Sequence, residues 1–147
     1  MAKTELYPAS RKTAKAAASI VKGIGRIRIN NIPAEMITPE IAKEIILTPV
    51  ELAGDARNKV DINVRVEGGG FVSRAFASAV AISRALTCYT KGKKDIKDHP
   101  LQKSVREEIM EKLLEYDRHL LIGDARRTEP KKFGGTSARR RKQKSYR

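Results

Sequence analysis

A chain of 147 residues that is 40% hydrophobic is long enough for one domain with a modest core, and too apolar to be disordered throughout. Its net charge of +14 is unevenly placed: residues 1–28 carry seven cations against one acid and residues 125–147 carry ten against one, while residues 29–124 are nearly balanced. Basic ends on a neutral globule point to a polyanion partner, and a single cysteine, Cys88, excludes an intrachain disulfide and a cysteine-rich metal site.

Residues 1–12 lack apolar periodicity and are expected as an extended N-terminal arm. Residues 13–21 (TAKAAASIV) read as a small-residue strand or a short helix, since alanine favours the second. KGIG at 22–25 signals a turn. Residues 26–30 (RIRIN) alternate charged and β-branched residues as a half-buried strand does, so a hairpin is expected that places Arg26 and Arg28 together on one polar face. Thr38, Pro39 and Glu40 form a helix start, with Thr38 able to cap and Glu40 near the positive end of the dipole. Ile41 and Ile45 then share a face, and Pro49 interrupts or restarts the helix.

Residues 60–67 (VDINVRVE) are the clearest strand, with four valine or isoleucine side chains alternating with polar ones. Gly68, Gly69 and Gly70 follow, then a helix over 71–88 rich in small residues that permit close approach to a sheet. Cys88 ends this apolar stretch and is expected in the core. Residues 89–97 are a basic loop. Residues 101–116 form an amphipathic helix: Leu101, Val105, Ile109 and Leu113 recur every fourth position, and Lys103/Glu107 and Glu108/Lys112 are paired on the wet side. A last short strand is expected over 120–127. From Pro130 the pattern collapses. Residues 131–147 hold eight basic groups and no acid, and cannot bury enough surface to offset ordering entropy. The expected organisation is an arm at 1–12, a globular α+β domain at 13–127 and a basic tail at 128–147, disordered when free.

The triple glycine reads as a tight crossover turn, alone or with an RNA phosphate at the helix start. It matches neither GxGxxG nor GxxxxGK[ST], so no nucleotide cofactor is implied. Arg74 and Arg84 stand about 80° apart around their helix, and could reach a polyanion or pair with carboxylates. His99 and His119 lack metal-ligand spacing, His99 is expected to be exposed, and Asp61, Glu67 and Asp124 have no nucleophile or base to work with; the strand carboxylates read as solvated. No catalytic residue, metal or cofactor is therefore expected. The tail carries the chemistry: Arg139, Arg140, Arg141 and Lys142 suit phosphates, Phe133 and Tyr146 can stack on bases, and Gly134 and Gly135 free the chain to thread a narrow path. No apolar run is long enough to span a membrane, and no signal-peptide segment is evident, so a cytoplasmic protein without a membrane partner is expected. A catalytic RNA-processing chain and a general nucleic-acid compaction module are the rival readings, the first wanting an acid/base constellation and the second binding RNA and DNA alike.

Several separated segments together resemble the small-subunit ribosomal protein S9 family. SRKTA at 10–14 is similar to its opening motif, Arg26 to Pro33 to its second strand and turn, and VRVEGGG at 64–70 with AISRAL at 81–86 to its central strand, glycine turn and helix. Asp124, Ala125 and Arg126 resemble its DxR element, and residues 131–147 its basic terminus. The QKSYR ending resembles the archaeal and eukaryotic branch, and the short N-terminus leans archaeal. Arg74 stands where the family commonly has glutamine, and Phe76 where it has glycine. The resemblance implies a four-stranded sheet with helices on one face, a left-handed crossover, and a place in the head of the small ribosomal subunit. It implies binding of small-subunit rRNA through Arg11, Lys12, Arg26, Arg28, Lys131, Lys132, Arg139, Arg140, Arg141, Lys142 and Lys144, with neighbouring head proteins as further partners. It also implies that Ser145, Tyr146 and Arg147 reach the peptidyl-site tRNA.

Overall fold

The structure, a computed structural model, describes residues 5–89 and 99–146. It is α+β, with a mixed sheet and helices on one of its faces. The strands are β1 (Leu6–Arg11), β2 (Ala14–Lys22), β3 (Ile27–Ile29), β4 (Ile32–Pro33) and β5 (Val60–Glu67); the helices are α1 (Glu40–Leu52), α2 (Phe71–Thr87), α3 (Lys103–Tyr116) and the single turn α4 (His119–Ile122). The sheet has five strands in the order β1-β2-β5-β3-β4, not the expected four. The membership also differs. Within the stretch expected as an extended arm, Leu6–Arg11 pairs antiparallel with β2 and buries Tyr7 in the core. The expected strand at 120–127 is absent: Leu120 and Leu121 are adjacent and both buried, which a helical turn allows and a strand does not, and the Asp117 carboxylate accepts the His119 N–H at that turn.

The β2–β3 hairpin is replaced by an opened arrangement. β5 inserts between the two strands, antiparallel to β2 and parallel to β3. Its four buried residues, Val60, Ile62, Val64 and Val66, make it the strand that gains most from a central position. The 23–26 connection therefore crosses the end of β5. Asp61 Oδ1 holds it there by accepting the N–H groups of Ile24 and Arg26, each at 2.9 Å. These bonds hold the Asp61 carboxyl below its usual range, so Asp61 is a turn anchor and not the solvated carboxylate expected. The parallel β3–β5 pair requires a crossover, and α1 supplies it.

β3 continues through a side chain. Asn30 and Asn31 form the two-residue turn to β4, both with positive φ, a conformation asparagine tolerates. The Asn30 carboxamide then imitates a strand residue: Nδ2 donates to Val66 O at 3.0 Å and Oδ1 accepts the Val66 N–H at 2.9 Å. Replacing Asn30 by Ala removes both bonds and places a Cβ-bearing residue of poor left-handed tolerance at the turn. The expected loss is roughly 2–3 kcal/mol of folding stability. Urea unfolding checks this, with Asn30→Gly as the control that keeps the turn and loses only the bonds; an Ala variant as stable as the original would remove the carboxamide from the account.

The core lies between the sheet and α2. Ala14, Ala16, Ala18 and Ile20 of β2 face Ala75, Ala79 and Ile82 of α2 in one buried cluster, and the small residues allow the close approach expected of them. On α1 the buried face is Ala42, Ile46, Pro49 and Val50, while Ile41 is exposed, one position off the expected stripe. The residue before α1 is Pro39, and Thr38 makes no capping bond; Pro49 sits inside the helix near its end, where it stops nothing before Leu52. The amphipathic α3 buries Ile109 and Leu113 as expected, and Lys103 and Glu107 pair at 3.8 Å on its wet side. Cys88 is buried and accepts the Tyr7 hydroxyl proton at 3.5 Å. The basic loop at 89–97 lies, apart from Tyr89, outside the described residues.

Candidate nucleic-acid interface

With the helices on one side, the other face of the sheet is open. Cross-strand register builds it: Ala17 lies opposite Arg65, Lys15 opposite Glu67, Ser19 opposite Asn63, and Arg28 beside Asn63 on the far strand. Lys15, Arg28 and Arg65 thus project from one polar face among small residues. Arg26, just before β3, is also exposed and gives its N–H to Asp61. Together with the chain at 122–127, the β1–β2 end of this face forms an open groove of about 1090 Å³, bordered by Lys12, Lys15, Arg65 and Arg127.

Lys12 stands at the mouth of this groove, in the two-residue turn between β1 and β2, with a φ of 53° that is costly for a lysine. Its neighbour Arg11 points inward. The Arg11 guanidinium pairs with Asp124 and lies 5.7 Å from the Phe76 ring centre, so Phe76 receives a cation where the family pattern has glycine. Asp124 also accepts from Arg126, whose backbone N–H reaches Oδ1 at 2.8 Å and whose Nε and Nη2 reach Oδ2 at 2.9 and 2.7 Å. The DxR element is therefore a clasp that fixes the 124–126 segment to the β1–β2 turn.

Arg84 spends its guanidinium on backbone carbonyls, and among the described residues it pairs with no carboxylate. Its Nε donates to Leu121 O and its Nη2 to Ile122 O, both at 2.8 Å, and its Nη1 to Pro8 O. One guanidinium joins α2, β1 and α4, and burial lowers its pKa. Arg74 bonds to Gly68 O at 2.9 Å and so closes the glycine turn onto α2. Gly68 and Gly69 have φ near 69° and 68°, and a Cβ on Gly69 would lie 2.9 Å from the Ala14 Cβ; the glycines let this turn pass against the β1–β2 turn. His99, expected in solvent, is half-buried. Its Nε2 donates to Ala85 O at 2.8 Å while Nδ1 accepts the Leu101 N–H at 3.1 Å, and burial lowers its pKa.

The tail cations Lys131, Lys132, Arg139, Arg140, Arg141, Lys142 and Lys144 are all exposed, as are Ser145 and Tyr146; Arg147 lies outside the described residues. The segment is not featureless. Thr136 N–H bonds to Arg140 O and Lys142 N–H to Gly134 O, closing a loop that carries the arginine run. A Cβ on Gly135 would lie 2.4 Å from Arg140 O, so this glycine closes the loop and does more than loosen the chain. Arg139 is paired with Glu129, with Nε at 3.0 Å from the carboxylate. Of the interface residues, Lys15, Arg65 and Arg127 went unsingled in the sequence. Alternation alone marks Arg65 as outward-facing, but only the β2–β5 register brings it beside Lys15.

Among the described residues no three His, Cys, Asp or Glu side chains are placed to hold a metal ion, and no helix is long and apolar enough to cross a membrane. The family model for ribosomal protein S9/S16 matches residues 9–147. The chain is similar to the small ribosomal subunit protein uS9 of Desulfurococcus amylolyticus, with 48% identity over 137 residues that span 93% of this chain and 88% of that protein. It is also similar to the small ribosomal subunit protein uS9 of Dictyostelium discoideum, with 43% identity over 138 residues, 93% of this chain and 89% of that one.

Proposed function

The chain belongs to the ribosomal protein S9/S16 family, and from that footing we propose that it is a structural constituent of the small ribosomal subunit in the cytoplasm, bound to rRNA in the subunit head beside other head proteins. The observation that carries the rRNA role is the acid-free run of eight cations at 131–147, the described ones all exposed, beside a stretch at 29–124 whose charges nearly balance. Its chemistry is phosphate neutralisation with counterion release, and the tail orders as RNA packs around it. Lys12, Arg26 and Arg28 add contacts from the body, and Arg11 serves by holding the Lys12 turn against Asp124. No catalytic step is assigned to the chain.

The last three residues have a separate task in this reading: Ser145, Tyr146 and Arg147 steady the peptidyl-site tRNA. Tyr146 is almost fully exposed and free to stack, and a guanidinium at Arg147 can bridge phosphate oxygens. Deleting residues 145–147 is expected to leave subunit assembly normal and to weaken tRNA retention by about 1–3 kcal/mol, the size of hydrogen bonds to a charged group. Dissociation of tRNA from small subunits carrying the truncated or full chain, at matched salt, tests it. Equal rates would remove the tRNA role and leave these residues to rRNA.

A further inference from the structure

We propose that the groove between the open sheet face and the 122–127 segment is a second RNA site, distinct from the tail, which holds one sugar-phosphate strand through Lys12, Lys15, Arg65 and Arg127. The inference rests on the rRNA-binding reading and adds to it a place and a set of residues.

Charge is the first ground. Among the described residues, none of these four cations has a carboxylate within ion-pair distance. Two acids also border the groove. Asp124 is already taken by Arg11 and Arg126, and Glu67 stands opposite Lys15 at the strand end without pairing to it. Four uncompensated cations around one groove repel each other, and a polyanion relieves that repulsion.

Shape is the second. The floor between the cations is made of Pro8, Ser10, Ala17 and Thr13, none large enough to fill it. Lys15 and Arg65 are diagonal neighbours across β2 and β5, so the two residues are about 7–8 Å apart, and their Cβ atoms somewhat less. That is comparable to the step between successive phosphates on one strand. Ser10 and Thr13 offer hydroxyls to the same path.

Backbone strain is the third. The turn position with φ of 53° favours glycine, yet it carries Lys12, whose cation reaches the mouth of the groove. The wall is also rigidly set. Arg84 fixes Leu121 and Ile122, and the Arg11–Asp124–Arg126 clasp fixes the start of the segment that bears Arg127. Cations on a pre-set wall lose little freedom when a strand enters.

The test uses the full-length chain, tail intact, and a transcript of the small-subunit rRNA as the probe. Affinity is measured against salt for the original chain, for the triple variant Lys15→Gln, Arg65→Gln, Arg127→Gln, and for the charge-keeping triple Lys15→Arg, Arg65→Lys, Arg127→Lys. The neutral triple is expected to lower the slope of log K against log salt by about two units, at about 0.7 per phosphate on a single strand, and to bind roughly a hundredfold more weakly at 0.1 M salt. The charge-keeping triple is expected to hold the original slope. Should the neutral triple melt early, the three single variants replace it, each expected to take about 0.7 from the slope. An original chain that binds with an unchanged slope in every neutral variant overturns the groove site and leaves the rRNA role standing. An original chain that does not bind the transcript overturns both.

Discussion

Removing residues 131–147 is expected to cost on the order of 10³-fold in rRNA affinity at 0.1 M salt and to flatten the salt dependence by several units. The segment holds eight cations and no acid. At about 0.7–0.9 per neutralised phosphate, the slope would fall by roughly six or seven units if all eight met phosphates. The real drop is expected to be about half of that, because Arg139 must first leave Glu129 and a strand passing the tail meets only some of its cations. The body should fold as before, since every residue of the buried hydrophobic cluster lies between Tyr7 and Leu121. Filter binding over a salt series, with far-ultraviolet circular dichroism as the folding control, makes the measurement. A truncated, folded chain with the original slope would mean that the tail does not meet phosphates.

Arg84→Met is expected to have the largest effect on the folded body, a loss of roughly 3–4 kcal/mol. A charged donor bond contributes about 1.5–3 kcal/mol, and Arg84 makes three, to Pro8, Leu121 and Ile122 carbonyls. Water at the groove edge recovers part of that, which keeps the figure below the simple sum. Methionine retains the aliphatic packing, so the change reports the guanidinium. Lysine at this position should recover little, because a single ammonium cannot serve carbonyls on two separate segments in a fixed fork. The loss is a large share of the 5–15 kcal/mol that holds an ordinary domain. Urea midpoints for Arg84→Met and Arg84→Lys check it, and midpoints within about 0.5 kcal/mol of the original would show that the three bonds contribute nothing net.

How far the sequence can be read follows from how local each signal is. The β5 strand and α2 were legible because their patterns are complete within the element: period-two apolar residues at 60–66, then a run of small residues after three glycines. The uneven charge was legible because charge at the chain ends needs no folding to be counted. The β2–β3 hairpin was misread because both strands and the turn were correctly seen, yet the insertion of β5 depends on residues more than thirty positions on, joined by Asp61 and Asn30. Arg84 was misread for the same reason: its carbonyl partners lie 37, 38 and 76 residues away, and no spacing rule for carboxylates or phosphates anticipates backbone acceptors. Tyr7 was hidden in an unpatterned stretch because β1 is only six residues and Pro8 breaks its alternation of apolar residues. The groove needs the β2–β5 register and the 124–126 clasp together, and neither is local.

The central claim is that this chain is a structural part of the small ribosomal subunit, and sedimentation of a cell lysate through a sucrose gradient tests it most directly. The chain should travel with small subunits, one copy to each, and stay there through a high-salt wash that strips loosely held basic proteins. A chain found at the top of the gradient, or one that spreads over all RNA and DNA and washes off with salt, would contradict the account.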